Sequence, residues 1–208
     1  MPLHLPIYLI LISTTLHALS GVPGVLLSRK TMTAQRITLM LSCAASLIGL
    51  TGVAQIFLWG TDSLHFSWNT LGEPVTVTAD ALSAFFLVAV LVIGALGSIY
   101  GLSYWPQPKH QDNGTGLRLF WGLTIAGMSL LLIARHAVLF LMGWEIMAVS
   151  AYFLITTENH LKESRTAGWI YFVATHLGTL ALFALFALFH AITGSFELRA
   201  LTTHEARA

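Results

Sequence analysis

The sequence predicts an all-α integral membrane protein: six transmembrane helices, with a short outer β-hairpin between the second and third. Three observations carry this. The 208 residues are 56% hydrophobic and only 9% charged, whereas a soluble domain carries about a quarter charged residues. The mean hydropathy is +0.76. Six apolar stretches, at about 6–27, 37–58, 80–103, 117–134, 137–157 and 167–190, each approach the ~20 residues a helix needs to cross the hydrocarbon core. No soluble domain and no repeat interrupts them. Residues 1–208 read as a single membrane domain whose end, 195–208, is a polar tail.

The first stretch has no basic residue before it, and Arg29 and Lys30 follow it. That order marks a retained helix rather than a cleaved signal peptide. Arg29, Lys30, Arg36, Lys109, Arg118, Lys162 and Arg165 fall in loops on one side, and only Arg135, Arg199 and Arg207 on the other. The positive-inside rule then puts both termini outside, which for a bacterial inner membrane is the periplasm. Trp105, Trp121 and Trp169 near the inner boundaries and Trp59 near an outer one form an aromatic belt.

In the second outer loop, Leu64–Asn69 and Val75–Thr78 alternate apolar and polar residues around the turn-forming Leu71-Gly-Glu-Pro74. This is the pattern of a hairpin lying on the outer face. Asp80 follows as the cap of the third helix. The inner loop 106–116 is a polar linker rich in Gly and Pro.

Composition excludes several function classes. A net charge of +1 argues against a nucleic-acid partner. The single cysteine, Cys43, excludes an intrachain disulfide and a multi-cysteine iron–sulfur or zinc site. The nine histidines are scattered, with no pair spaced to share a metal on one helix, and no phosphate loop or dinucleotide fingerprint occurs. No cofactor and no metal is expected in this chain.

One charge breaks the apolar pattern. Glu145 is the sole charged residue in Val138–Ile155, and a carboxylate in a span costs about 2.5–3.5 kcal/mol on insertion scales. Counted from Ala137 it lies about 12 Å down the fifth helix, near the midplane. His176 lies about 13 Å up the sixth. The two helices form an antiparallel hairpin, which sets Glu145 level with Thr179. His176 and Thr179 occupy successive turns, and Thr175 and Thr179 share one stripe. These groups could form a polar relay, with Glu145 as the proton-linked carboxylate, His176 as relay and Thr179 as polar lining. The alternative is structural: a protonated Glu145 bonded across the bundle, and a histidine doing the same. His17 reads as structural, the stripe Gly94, Gly97, Ser98 and Gly101 as close helix packing, Gly143 and Trp144 as local packing, and Lys162 and Arg165 as surface charges.

Two segments resemble a known family. Asp80-Ala-Leu-Ser-Ala-Phe-Phe86 follows the outer hairpin. Met128-Ser-Leu-Leu-Leu-Ile133 leads to Leu141-Met-Gly-Trp-Glu-Ile-Met-Ala-Val-Ser-Ala-Tyr-Phe-Leu-Ile155. They are similar to the antiporter-like membrane subunits of respiratory complex I, Mrp sodium/proton antiporters and membrane-bound [NiFe] hydrogenases, over about residues 80–190. Ile170-Tyr-Phe-Val-Ala-Thr-His-Leu-Gly-Thr179 and Thr157-Glu-Asn-His160 resemble the formate-hydrogenlyase-type large membrane subunit.

The resemblance implies a role for Glu145 in proton translocation, in concert with a lysine on a broken seventh helix. It also implies partner membrane and peripheral redox subunits that handle the electrons. Such subunits have about fourteen helices built as inverted repeats. With six spans and no lysine within them, the chain is expected to be the N-terminal part of such a subunit: a fragment, a truncated frame or part of a split subunit. The rival functions are a structural or assembly subunit without transport of its own, and an Mrp-type sodium/proton antiporter subunit.

Overall fold

A computed structural model describes residues 4–27, 32–67 and 74–199. The charges Arg29, Lys30 and Arg207 and the turn residues Leu71, Gly72 and Glu73 lie outside the described residues. The chain is a helical bundle with a small sheet at one end. In order come α1 (Leu5–Leu19), α2 (Val22–Leu26), α3 (Thr33–Trp59), β1 (Asp62–Ser67), β2 (Pro74–Ala79), α4 (Ala81–Tyr104), α5 (Gly114–Ile133), α6 (Ala137–Ile155) and α7 (Lys162–Thr193). Six helical segments, counting α1 and α2 together, are long and apolar enough to cross a membrane.

Two helices depart from the sequence-based spans. The first is not one rod: it breaks at Ser20–Gly21, and α2 restarts with Pro23 in its first turn. Proline has no N–H to bond the preceding turn, so it ends one helix and suits the start of the next. The last begins at Lys162 and runs 32 residues, because Lys162, Glu163 and Arg165 are good helix formers that extend the apolar stretch beyond the hydrocarbon.

The hairpin pairs β1 and β2 antiparallel, from Asp62 opposite Ala79 to Ser67 opposite Pro74. It is more than a flap. Val77 bridges Ala134, and His136 bridges Glu197. Arg135 donates its N–H to Thr76 O, and Leu198 donates to Arg135 O. The start of the polar tail is thus ordered against the α5–α6 corner. Asp62 accepts from His4 Nδ1 at 2.7 Å and from the Ile7 amide at 3.2 Å, a carboxylate at the positive end of α1.

The sheet end is also where the apolar core sits. Ile7, Ile10, Val53, Ile56, Val75, Val77, Leu87 and Ile133 are all buried there. At the opposite end, where the loops 105–113 and 156–161 run, Gln35, Gln107, Thr115 and Arg118 are buried. Gln35 ties α3 to the end of α4 and the loop that follows it. Its Nε2 donates to Gly101 O at 3.0 Å and Trp105 O at 3.3 Å, and its Oε1 accepts from Gln107 N at 2.8 Å. It thereby bonds two carbonyls at the end of α4, of which Gly101 O also accepts from Trp105 N. Arg118 is not a loop charge: it lies in the second turn of α5 and is 8% exposed.

Candidate functional site

Glu145 sits in the middle of α6, and the position of α6 is fixed by glycine. A Cβ at Gly127 of α5 would lie 2.7 Å from Met147 N and 2.9 Å from Gly143 O. Only glycine admits backbone that close, so α5 and α6 touch along their main chains and α6 has little freedom to rotate. The Glu145 side chain then turns away from α5, toward α7.

On α7 it meets a hydroxyl. Thr179 Oγ1 donates to Glu145 Oε1 at 2.7 Å, a well-formed O–H···O bond. The expected levelling of Glu145 with Thr179 is thus a direct contact. Thr179 Oγ1 also lies 3.1 Å from Thr175 O. Trp144, which sequence reasoning assigned to local packing, donates its Nε1–H to Thr179 Oγ1 at 3.0 Å. Its ring lies against Gly178 of α7, where a Cβ would be in ordinary van der Waals contact with the indole at 3.6 Å. The signal that could have revealed Trp144 is its place next to Glu145 in a hairpin that brings a threonine to the same depth.

The other carboxylate oxygen faces a histidine. His176 Nε2 is 3.9 Å from Glu145 Oε2, a gap that one water or a small side-chain rotation closes. His176 Nδ1 lies 2.9 Å from Phe172 O. A carbonyl only accepts, so Nδ1 carries a hydrogen and Nε2 is the nitrogen free to take or give a proton. The ring lies tilted by 32° against Phe172 with centroids 4.0 Å apart, a contact that supports this orientation.

Proton bookkeeping follows from this geometry. The Thr179 hydroxyl has one hydrogen and two acceptors, the Glu145 carboxylate and the Thr175 carbonyl. An ionised Glu145 takes the hydrogen. A Glu145 protonated on Oε2 still accepts it through the Oε1 carbonyl, and Trp144 holds the threonine oxygen in place in both states. Oε1 is therefore the anchored oxygen and Oε2 the one that can exchange a proton with His176. The Glu145 side chain is 37% exposed and that of His176 40%, so within this chain the pair opens onto the outer flank of α6 and α7. No group of three His, Cys, Asp or Glu side chains placed to hold a metal occurs among the described residues.

A second charged contact lies outside the membrane spans. Asp80 caps α4 by accepting from Ser83 N at 2.8 Å, as expected from the sequence. Its other oxygen pairs with Arg135 Nη2 at 2.8 Å. The Ser83 amide bond and, secondarily, Arg135 hold the Asp80 carboxyl below its ordinary range. This ties the α4 N-terminus to the α5–α6 corner at the sheet end.

Comparison with known proteins points one way. Residues 134–207, which contain Glu145, Thr179 and His176, match the family model described as NADH:quinone oxidoreductase/Mrp antiporter, TM. Hydrogenase-4 component B of Escherichia coli is 28% identical over 130 residues, 62% of this chain and 19% of that protein. NADH-quinone oxidoreductase subunit L of Mycobacterium tuberculosis is 28% identical over 155 residues, 69% of this chain and 24% of that protein. The Mrp complex from a Dietzia species contains a chain of the same fold: TM-score 0.70 at 20% identity, covering 92% of this chain and 20% of that one. The chain spans 19 to 24% of the length of these curated relatives.

Proposed function

We propose, from the premise that this chain is a relative of the antiporter-like membrane subunits of complex I, Mrp and hydrogenase complexes, that Glu145 is a proton-linked carboxylate. In this reading the chain forms the N-terminal part of a subunit that couples electron transfer in partner subunits to proton movement. The observation that supports it most is the polarised carboxylate. One oxygen is anchored by Thr179 and Trp144, and the other faces the exchangeable nitrogen of His176. A buried structural acid would have both oxygens engaged; this one keeps one oxygen available.

Partner membrane subunits would cover the open flank of α6 and α7, and peripheral redox subunits would supply the energy. The basic residues Arg36, Lys109, Lys162 and Arg165 at the loop end favour that end as cytoplasmic. The hairpin would then face the periplasm of a bacterial inner membrane. The similarity to hydrogenase-4 component B supports the hydrogenase branch.

The test is Glu145→Gln in the assembled complex. Electron transfer and assembly should persist while proton movement falls to background. Full proton movement in Glu145→Leu, combined with loss of assembly on deleting the chain, would instead establish a purely structural subunit.

A further inference from the structure

A second buried titratable group lies away from Glu145. His17 is fully buried in α1, opposite Ser46, the middle residue of the 27-residue α3. Its hydrogen bonds do not close. Nδ1 is 3.0 Å from Ser13 O, so Nδ1 carries a hydrogen. Nε2 is 3.2 Å from Ser46 Oγ, and Ser46 Oγ donates to Leu91 O at 2.9 Å. With a neutral ring, the one Ser46 hydrogen must serve both Nε2 and Leu91 O. A second ring proton removes the conflict: Nε2–H donates to Ser46, and Ser46 donates to Leu91, with no side chain moving. The network thus has one vacant place for a proton.

A polar file leads from that place to the loop end. Gln35, Thr38, Ser42 and Ser46 lie at helical spacing on one face of α3, and all are buried. Ser98 of α4 donates to Ser42 Oγ at 2.9 Å. Beside His17 stands Gly94, where a Cβ would come 3.4 Å from Nε2 and 3.2 Å from Ile125 Cγ2, so the helices pack closely around the ring. Ser42 and Ser46 are four residues apart on α3, about 6 Å of rise, a step that one water spans. Below them is a cavity of about 280 Å³ lined by Thr38, Ser98, Gly101, Trp105 and Arg118 among others. Thr38 Oγ1 and all three Arg118 guanidinium nitrogens are buried without a hydrogen-bond partner. Buried polar groups in that condition call for water. Toward the sheet end the same helices bury Ile10, Val53, Ile56 and Leu87, and the file stops.

We propose that His17 is a proton-binding site at mid-membrane, reached only from the loop end through the cavity and the Thr38–Ser98–Ser42 hydroxyls. Each hydroxyl accepts one proton and passes one on. Water in the cavity supplies the proton to Nε2 and the loop-side solution takes the hydroxide. The groups facing His17 are Ser13 on α1, Ser42 and Ser46 on α3, Leu91 and Gly94 on α4, and Gly122 and Ile125 on α5. None of these is charged; on the facing helices at this end Arg36 of α3 is exposed and Arg118 of α5, one turn from Gly122, is buried. That fixed cation turns metal ions away from the mouth, whereas a proton can hop along hydroxyls and water without an ion passing it. The site shares no residue with the Glu145 pair, so either can fail without the other.

The test uses the full chain, labelled with 15N-histidine, in lipid vesicles, with His17 assigned by its absence in His17→Gln. Nitrogen spectra should show His17 passing between singly and doubly protonated rings with pH. Its N–H should exchange with D₂O well ahead of the Val53 and Leu87 amides. Thr38→Val/Ser42→Ala/Ser98→Ala should slow that exchange on the order of tenfold or more. A single neutral tautomer at every pH where the protein stays folded, exchanging as slowly as Val53, would overturn the proposal. So would unchanged exchange in the triple variant. Should that variant not fold, the spectra of the unaltered chain decide alone.

Discussion

Replacing Thr179 with valine keeps the shape of the side chain and removes its hydroxyl. Three contacts go with it: the 2.7 Å bond to Glu145, the 3.0 Å bond from Trp144 and the 3.1 Å bond to Thr175 O. Hydrogen bonds between membrane helices average about 0.6 kcal/mol in double-mutant cycles, with about 1.7 as the largest. The Glu145 bond is short and its acceptor can be charged, which places it toward the upper value. The Glu145 side chain is also more than a third exposed, which brings it down again although Thr179 is buried. The two considerations give about 1 kcal/mol of coupling between Thr179 and Glu145. The assay is a cycle of Thr179→Val, Glu145→Gln and the double variant, read by reversible unfolding in mixed micelles. Thr179→Ser, which restores the hydroxyl, should recover most of the loss. Coupling indistinguishable from zero, or equal losses in the Ser and Val variants, would refute the hydroxyl's role and leave only packing.

Other outcomes follow from the same structure. Asp80→Ala should destabilise by about 0.5–2 kcal/mol through loss of the α4 cap, whereas Asp80→Asn, itself a good cap, should cost far less; equal losses would make the Arg135 pair dominant. Because the folded carboxyl titrates below its ordinary value, its contribution is present above about pH 4 and is lost as pH falls through the lower folded value. Acid melting curves of wild type and Asp80→Asn should therefore converge at low pH. Gly127→Ala puts a methyl against the α6 backbone and should cost about 1–3 kcal/mol, seen as a lower unfolding midpoint; an unchanged midpoint would mean the two helices are not in main-chain contact. Trp144→Phe should leave Glu145 in place but free the Thr179 oxygen, giving a smaller loss of proton movement than Glu145→Gln.

Much of this architecture is legible in the sequence because the bilayer allows few choices. Apolar runs of about twenty residues must be helices, and alternation at 64–69 and 75–78 between two of them gives the hairpin. The depth of Glu145 follows from counting residues, and its facing Thr179 from the symmetry of the α6–α7 hairpin. What the sequence conceals is set by side-chain direction across helices. Trp144 looks like packing until the indole N–H is seen to reach Thr179. Arg118 looks like a loop charge until α5 is seen to start at Gly114. The break at Ser20–Gly21 is hidden because Pro23 suits the start of a helix as well as it disrupts one. His17 and the α3 polar stripe are spaced for a shared face, but serines in an apolar helix are also ordinary packing residues. Only the unmatched hydrogens and the cavity set them apart.

The central claim, that Glu145 changes its protonation state against Thr179 and His176, is tested most directly by infrared difference spectroscopy of the reconstituted chain across a pH titration. A protonated-carboxyl band should appear and vanish reversibly with pH. It should be missing in Glu145→Gln and displaced in frequency in Thr179→Val. A titration with no band lost in Glu145→Gln would show that the carboxyl keeps one protonation state throughout, and the proton-linked role assigned to it would be wrong.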